Sequence, residues 1–413
     1  MNNLDILSSN CESCVTKPCQ MGCPLNNDIT QFIKNVKNKE YEKAYRVLTN
    51  TSVLMPLCGR ICPHYQQCQG SCVKGVSYDA VEIGVLEYTI GDMALDNNWT
   101  IPVKDTTNYK VAVIGGGPSG LTCAAFLRRN GINVTIYEKY DYLGGLLVHG
   151  IPAFRLSKDL VKRVTDSIVN LGIDVKYNTE LGKDITLEEL KNEYDAIYIA
   201  VGANRSNKMD IPGEDLDGVY GGNELLEHNI NLDYINKNVV ISGGGNVAMD
   251  VARTAKRSGA SRVTVVYRRG RDEMPADKKE VEEVMKDGIE FIFQTNILKV
   301  IGSDKVTGIE VIKTELVQKE GETRLSPVNI EGSEYTIDCD YVMMAIGSHP
   351  DDFVSELNIE TNKQGKIAID RYGHTSDEKV FSGGDIAATK GTVAWASRAG
   401  RNAAYSIIDF LEK

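Results

Sequence analysis

KVAVIGGGPSGLTCAAFLRRNGINVTIYE, residues 110–138, decides the fold. The apolar run Lys110–Ile114 reads as a buried strand that enters Gly115-x-Gly117-x-x-Gly120. A helix follows to about Arg129, then a second strand, Val134–Glu138. In such a βαβ unit the first glycine permits the tight turn and the second lets a pyrophosphate approach the backbone. The third lets the helix pack closely on the strand. The helix start offers free amides and a partial positive charge to phosphates. Glu138 stands where an acid accepts hydrogen bonds from adenosine ribose hydroxyls.

The pattern occurs twice. From Asn238 the chain reads NVVISGGGNVAMD, then a strand Val263–Tyr267 closing in Arg268-Arg269. The turn Gly243-x-Gly245-x-x-Ala248 has alanine in the third place. Arg268 and Arg269 stand where the first unit has Glu138. Guanidinium groups there pair with a 2′-phosphate, whereas a carboxylate repels it, so the second unit is expected to take NADPH rather than NADH. Near the C-terminus a strand, Lys379–Phe381, runs into Gly383-Gly384-Asp385, and a helix starts at about Thr392. That order suits a ribityl chain held by Asp385 and a flavin facing the helix start. The first unit is therefore expected to hold FAD. The expected fold is α/β, with two Rossmann-like dinucleotide-binding domains of the glutathione-reductase kind behind an α-helical segment.

That leading segment holds eight of the ten cysteines. They run Cys11-x2-Cys14-x4-Cys19-x3-Cys23-Pro24, then Cys58-x3-Cys62-Pro63-x4-Cys68-x3-Cys72. Thiolates in fours suit iron–sulfur clusters or zinc. Redox domains downstream favour two 4Fe-4S clusters; two zinc sites are the competing reading. Around the cysteines, Ile29–Leu48 and Asp79–Leu95 have helical apolar spacing, and Asn97–Asn108 reads as a linker. The expected domains are 1–105 for the clusters, 106–205 and 349–413 for FAD, and 206–348 for NAD(P)H.

Hydrophobic residues are 42% and charged residues 25% of the chain, an ordinary globular balance. The net charge of −11 argues against a nucleic-acid partner. No apolar run approaches membrane-spanning length, and the polar N-terminus lacks the shape of a signal peptide, so a cytoplasmic protein without a membrane partner is expected. No Cys-x-x-Cys lies near the flavin motifs, which argues against disulfide reduction. Cys123 and Cys339 read as small buried hydrophobes. Walker A and nucleophile-elbow motifs are absent. Hydride transfer needs aligned rings rather than a protein acid or base, so no catalytic side chain is assigned.

Together GGGPSGL (115–121), EKYDYLGGLLVHGIPAFRL (138–156), GGGNVAMD (243–250), YRRGRDEMPA (267–276), FSGGDIA (381–387) and the eight cysteines resemble the small subunit of NADPH-dependent glutamate synthase. The relatives of that family include the electron-input part of dihydropyrimidine dehydrogenase and the large subunit of an electron-bifurcating ferredoxin:NADP oxidoreductase. The resemblance implies FAD contacts at Gly115, Gly117, Gly120, Glu138, Gly145, Leu146, Arg155, Leu181, Gly384, Asp385 and Thr392. It implies NADPH contacts at Gly244, Gly245, Asn246, Val247, Arg268, Arg269 and the Ala345-Ile346-Gly347 turn. It implies one cluster on Cys11, Cys14, Cys19 and Cys72, and another on Cys23, Cys62, Cys68 and Glu87, leaving Cys58 spare. A plain count of cysteines makes Cys58 a ligand instead. The implied partner is a larger catalytic subunit that forms glutamate from glutamine and 2-oxoglutarate. The same module serving a dihydropyrimidine dehydrogenase or bifurcating partner is the alternative, and a zinc-stapled, non-catalytic NADPH-binding protein is the reading from another class.

Overall fold

The computed structural model describes residues 3–413 apart from 77, 78, 229, 231, 320, 322, 323, 388 and 389. The chain divides into two units, one of Met1–Val148, Ala153–Ala203 and Pro350–Lys413, the other of His149–Pro152 and Asn204–His349.

The first unit is built on a five-stranded parallel sheet. Its order is Val380–Ser382, Ala196–Ile199, Lys110–Ile114, Asn133–Tyr137 and Asp174–Lys176. Ala112, Ile114, Ile197, Ile199 and Val380 are buried on one face, the near-continuous apolar pattern of strands covered on both sides. The helix Pro118–Arg129 carries an unbroken buried run from Ser119 to Leu127. The C-terminal helix, Val393–Leu411, packs against it. The two backbones touch at Gly400, where a Cβ would meet the Ser119 carbonyl oxygen at 2.1 Å. Thr122 and Ser397 share a hydrogen bond of 2.7 Å beside that contact.

Among the described residues, six α-helices form the leading segment of the same unit. The stretch Ile29–Leu48, with its helical apolar spacing, forms two helices, Ile29–Lys37 and Tyr41–Leu48. Lys39, at φ 61°, turns the chain between them. Asp28 caps the first by accepting from the Gln31 amide and also pairs with Lys17 at 2.8 Å. Phe32, Ile33, Val36, Ala44 and Leu48 make the core of the pair. This segment packs directly on the sheet domain. Arg129 donates to the Thr49 carbonyl at 2.7 Å, and Arg163 pairs with Asp96 at 2.6 Å. Even the polar stretch Asn97–Asn108 is tied down, with the Lys104 and Thr107 amides donating to Arg129 and Gly131 carbonyls.

The second unit repeats the arrangement. Its five-stranded parallel sheet runs Val219–Gly221, Tyr341–Met344, Asn238–Ser242, Arg262–Tyr267, Glu290–Phe293. The strand before the glycine turn is central in both sheets, with the following strand on one side. An antiparallel sheet of four strands, Thr295–Gly302, Val306–Val317, Ser326–Asn329 and Tyr335–Asp338, is added to it. No helix among the described residues is long and apolar enough to cross a membrane.

Candidate functional site: two dinucleotide turns and two thiol groups

The first glycine turn has a division of labour legible in its space. Gly115 has φ 99°, and a Cβ on it would meet the Ala200 carbonyl at 2.6 Å. A Cβ on Gly120 would lie 1.9 Å from the Gly115 carbonyl. A Cβ on Gly117 would meet nothing within 4 Å, so that space is open for something other than protein. The Glu138 carboxylate is buried at the strand end and accepts from the Gly116 amide at 2.7 Å and the Tyr140 amide at 3.0 Å. Burial holds its carboxyl above the usual carboxylate range, although these amides pull it down. Gly145, at φ 52°, lies over Gly117, with its Cβ position 3.1 Å from the Gly117 Cα. Leu146 opens the short helix Leu146–His149. Arg155 is half-buried, and Leu181 is buried in the sheet core.

From the other end of the chain, Gly384, at φ 81°, comes up against Ser119 in the first turn of the helix Pro118–Arg129. Asp385 follows it. Its Oδ1 is buried with no protein partner, and burial raises its carboxyl above the usual range. Thr392 caps the C-terminal helix by accepting from the Trp395 amide at 3.4 Å. An open glycine, an unpartnered buried carboxylate oxygen and a capped helix start therefore gather on one unit, and they fit a bound FAD.

In the second unit Gly243 approaches the Ala345 carbonyl, its Cβ position 2.2 Å away, which ties the Ala345-Ile346-Gly347 turn to the glycine turn. Gly244 faces the Tyr267 ring, and a Cβ on Gly245 would meet nothing within 4 Å. Asn246 accepts from the Asp277 amide at 2.9 Å, Val247 is half-buried, and Ala248 is fully in the core. The strand register corrects one expectation. Ile114 pairs with Tyr137 and Ser242 with Val266, so the residue equivalent to Glu138 is Tyr267, and the arginines come one and two places later. Arg268 is exposed, while Arg269 donates through Nε to the Leu325 carbonyl at 3.0 Å. Arg324, which the sequence reading missed, donates to the Tyr267 hydroxyl at 2.9 Å and to the Glu273 carbonyl. It is distant in sequence and belongs to no motif, so no local signal marked it.

The cysteines fall into two groups that interleave in sequence. Cys11, Cys14, Cys19 and Cys72 line one cavity, backed by Ile29 and Ile33. Ser13 and Lys17, both at positive φ, bend the first loop around it. Lys37 donates to the Cys11 carbonyl. Burial, with the neighbouring Cys11 and Cys72, pushes the Cys19 thiol up to about 11.

Cys23, Cys58, Cys62 and Cys68 gather separately, together with Glu87. Cys58 and Cys62, one turn apart, bring their thiols close together. Glu87 arrives on the helix Ile83–Asp96, which crosses Met55–Ile61 so closely that a Cβ on Gly59 would meet the Gly84 carbonyl at 2.6 Å. Glu87 is 6% exposed, so it is not a solvated helix residue. It accepts from Asn27 at 3.3 Å, and Asn27 in turn accepts from Thr51. Burial pushes its carboxyl up to about 8. Among the described residues no three His, Cys, Asp or Glu side chains converge on a single-ion site. Thiols gathered in fours are the donor set of an iron–sulfur cluster. Cys123 and Cys339 lie apart from both groups and are buried.

Comparison with known proteins agrees with this geometry. A family profile described as pyridine nucleotide-disulphide oxidoreductase matches residues 109–403. A second, described as dihydropyrimidine dehydrogenase domain II, 4Fe-4S cluster, matches residues 6–99. The glutamate synthase [NADPH] small chain of Escherichia coli K12 is 35% identical, over 97% of this chain and 90% of its own length. The chain belongs to the glutamate synthase small-chain family.

Membership makes it an NAD(P)H-dependent flavin oxidoreductase with an N-terminal 4Fe-4S domain. The family extends to larger proteins: the putative oxidoreductase AegA of E. coli K12 is 38% identical over 95% of this chain, which spans 63% of that protein. Among solved structures, Mycobacterium tuberculosis FprA in complex with NADPH superposes with a TM-score of 0.65 at 20% identity, covering 74% of this chain and 85% of FprA, a likeness of fold.

Proposed function

We propose that this chain is the electron-input subunit of a glutamate synthase assembly. On this reading it takes electrons from NADPH through FAD and two 4Fe-4S clusters to a larger catalytic subunit, which forms glutamate from glutamine and 2-oxoglutarate. The observation that carries the reading is the gathering of eight thiols into two separate groups within the unit that holds the FAD-type turn. One cluster is assigned to Cys11, Cys14, Cys19 and Cys72. The other is assigned to Cys23, Cys62 and Cys68 with Glu87, and Cys58 stays a buried neighbour. FAD is assigned to the turn at Gly115–Gly120 with Glu138, Gly145, Leu146, Arg155, Leu181, Gly384, Asp385 and Thr392. NADPH is assigned to Gly244–Val247 with Arg268, Arg269, Ala345 and Gly347.

When bound, the flavin supplies a change of electron number, taking a hydride from NADPH and a proton from solvent, then giving up two single electrons and both protons. The protein's own part is to hold and orient. Glu138 fixes the strand end to the turn, and Asp385 presents a carboxylate oxygen with no other partner. Both thiol groups are substantially buried, which limits access of water and oxygen to whatever they hold.

Anaerobic purification tests this. The expected protein carries about eight irons and one FAD per chain, its flavin and cluster absorbance both bleach with NADPH, and affinity purification recovers a large subunit with glutaminase and synthase domains. Stoichiometric zinc without iron would overturn it. The likeness to AegA supports a second reading, the same module passing electrons to a different redox partner. Recovery of such a partner in place of the synthase subunit would decide for it.

A further inference from the structure

Arg401 lies two turns into the C-terminal helix and is half-buried. Its Nη1 donates to two carbonyls of the cysteine segment, Leu25 at 2.7 Å and Thr51 at 3.0 Å, and Nη2 reaches the Asn402 side chain at 3.5 Å. Among the described residues no carboxylate pairs with it. A guanidinium removed from water is costly to leave uncompensated by charge. The Leu25 carbonyl it holds is two residues beyond Cys23, and the Cys23 sulfur is close enough to interact with the guanidinium electrostatically. The same helix approaches the second thiol group again at its start, where the Ala394 backbone amide lies near Cys62. Its cap, Thr392, stands at the FAD-type site. One rigid element of 19 residues thus joins the two.

We infer that Arg401 is the positioning and charge-compensating residue for the centre held by Cys23, Cys62 and Cys68, and not for the one on Cys11, Cys14, Cys19 and Cys72. The inference rests on the proposed function above. A cluster bound by thiolates is anionic and gains another negative charge on reduction, so a fixed cation beside one ligand favours its reduced form. Anchoring Leu25 and Thr51 to the helix fixes the separation between the flavin and the Cys23 group. The step is the movement of a single electron. No bond forms or breaks in it, NADPH is the reductant, and the flavin releases its protons to solvent.

The test uses the full chain with FAD and both clusters, comparing the parent with Arg401→Gln and Arg401→Lys. Lysine keeps the charge and can donate to both carbonyls; glutamine keeps only donors. Iron and FAD contents first establish that each variant is loaded. In a redox titration followed by electron paramagnetic resonance, Arg401→Gln is expected to lower the potential of one cluster and leave the other unchanged. After mixing with NADPH, the flavin should bleach at the parental rate while cluster reduction slows about tenfold. Arg401→Lys should restore most of both. Parental potentials and rates in Arg401→Gln would overturn the inference, and so would an equal shift of both clusters. If Arg401→Gln fails to load, Arg401→Lys decides: a lysine variant that also fails to load, or that loads with the potential of one cluster lowered, would overturn the inference. A parent that binds no iron would instead sink the proposed function, so the two failures are distinguishable.

Discussion

The Glu138 carboxylate accepts a hydrogen bond from the Gly116 amide at 2.7 Å, joining the end of the second strand to the middle of the glycine turn. Its other oxygen takes the Tyr140 amide. Glu138→Gln places an amide NH2 against one of these donors and removes the charge. FAD affinity should fall by about tenfold to a hundredfold, roughly 1.4–2.7 kcal/mol. Titrating the flavin-free protein with FAD by fluorescence measures it; an unchanged dissociation constant would show that the carboxylate has no part in the site.

Gly117 and Gly120 should respond differently to the same added methyl. Gly117→Ala meets nothing within 4 Å, so the flavin-free protein should melt as the parent does while FAD binding weakens at least tenfold. Gly120→Ala drives a Cβ to 1.9 Å from the Gly115 carbonyl, and the flavin-free protein itself should lose about 1–3 kcal/mol. Melting curves with and without FAD separate the two effects.

Arg268 and Arg269 are expected to divide between cofactor and fold. Arg268 is exposed, so Arg268→Ala should lower kcat/KM for NADPH by about tenfold or more, leave NADH nearly unchanged and spare stability. Arg269 also holds the Leu325 carbonyl. Arg269→Ala should therefore cost stability as well, by about 1 kcal/mol. Steady-state kinetics with both nucleotides, beside urea melts, check each half.

Asp385 gives a pH signature in the flavin-free protein. Burial raises its carboxyl above the usual range, with Lys366 partly opposing. A carboxyl raised in the folded state contributes stability below its unfolded pKa, near 3.9, and that contribution is lost as pH rises through the folded value. The flavin-free parent should thus lose stability relative to Asp385→Asn as pH rises from about 4 toward neutrality. The same variant should bind FAD more weakly. Urea midpoints at several pH values, parent against variant, provide the comparison; a constant difference would contradict the buried-charge account.

Cys58 and Glu87 are the two candidates for one ligand place in the proposed second centre, and both are buried. Glu87→Ala is expected to remove about half the iron, whereas Cys58→Ala should keep it. Iron and sulfide analysis of the two variants decides the ligand, and loss of a cluster in Cys58→Ala alone would exchange the two roles.

What the sequence determined by itself was local. A strand, a glycine turn and a helix lie within about thirty residues, so their spacing reports the backbone geometry directly. Both dinucleotide turns, the α/β class and the chemistry of the cysteine donors could be read that way. Resemblance to a family suggested how the thiols are shared; their spacing alone did not. Cys72 joins Cys11 across about sixty residues of chain, and Glu87 is buried because two helices touch at Gly59 and Gly84. Strand register, a property of pairs of strands, put Tyr267 in the position of Glu138 and moved the arginines one step outward. The cation on the Leu25 carbonyl, two residues beyond Cys23, comes from Arg401, near the opposite end of the chain. Local spacing cannot encode such contacts, because packing of the C-terminal helix, and not the chain's path through neighbouring residues, brings those groups together.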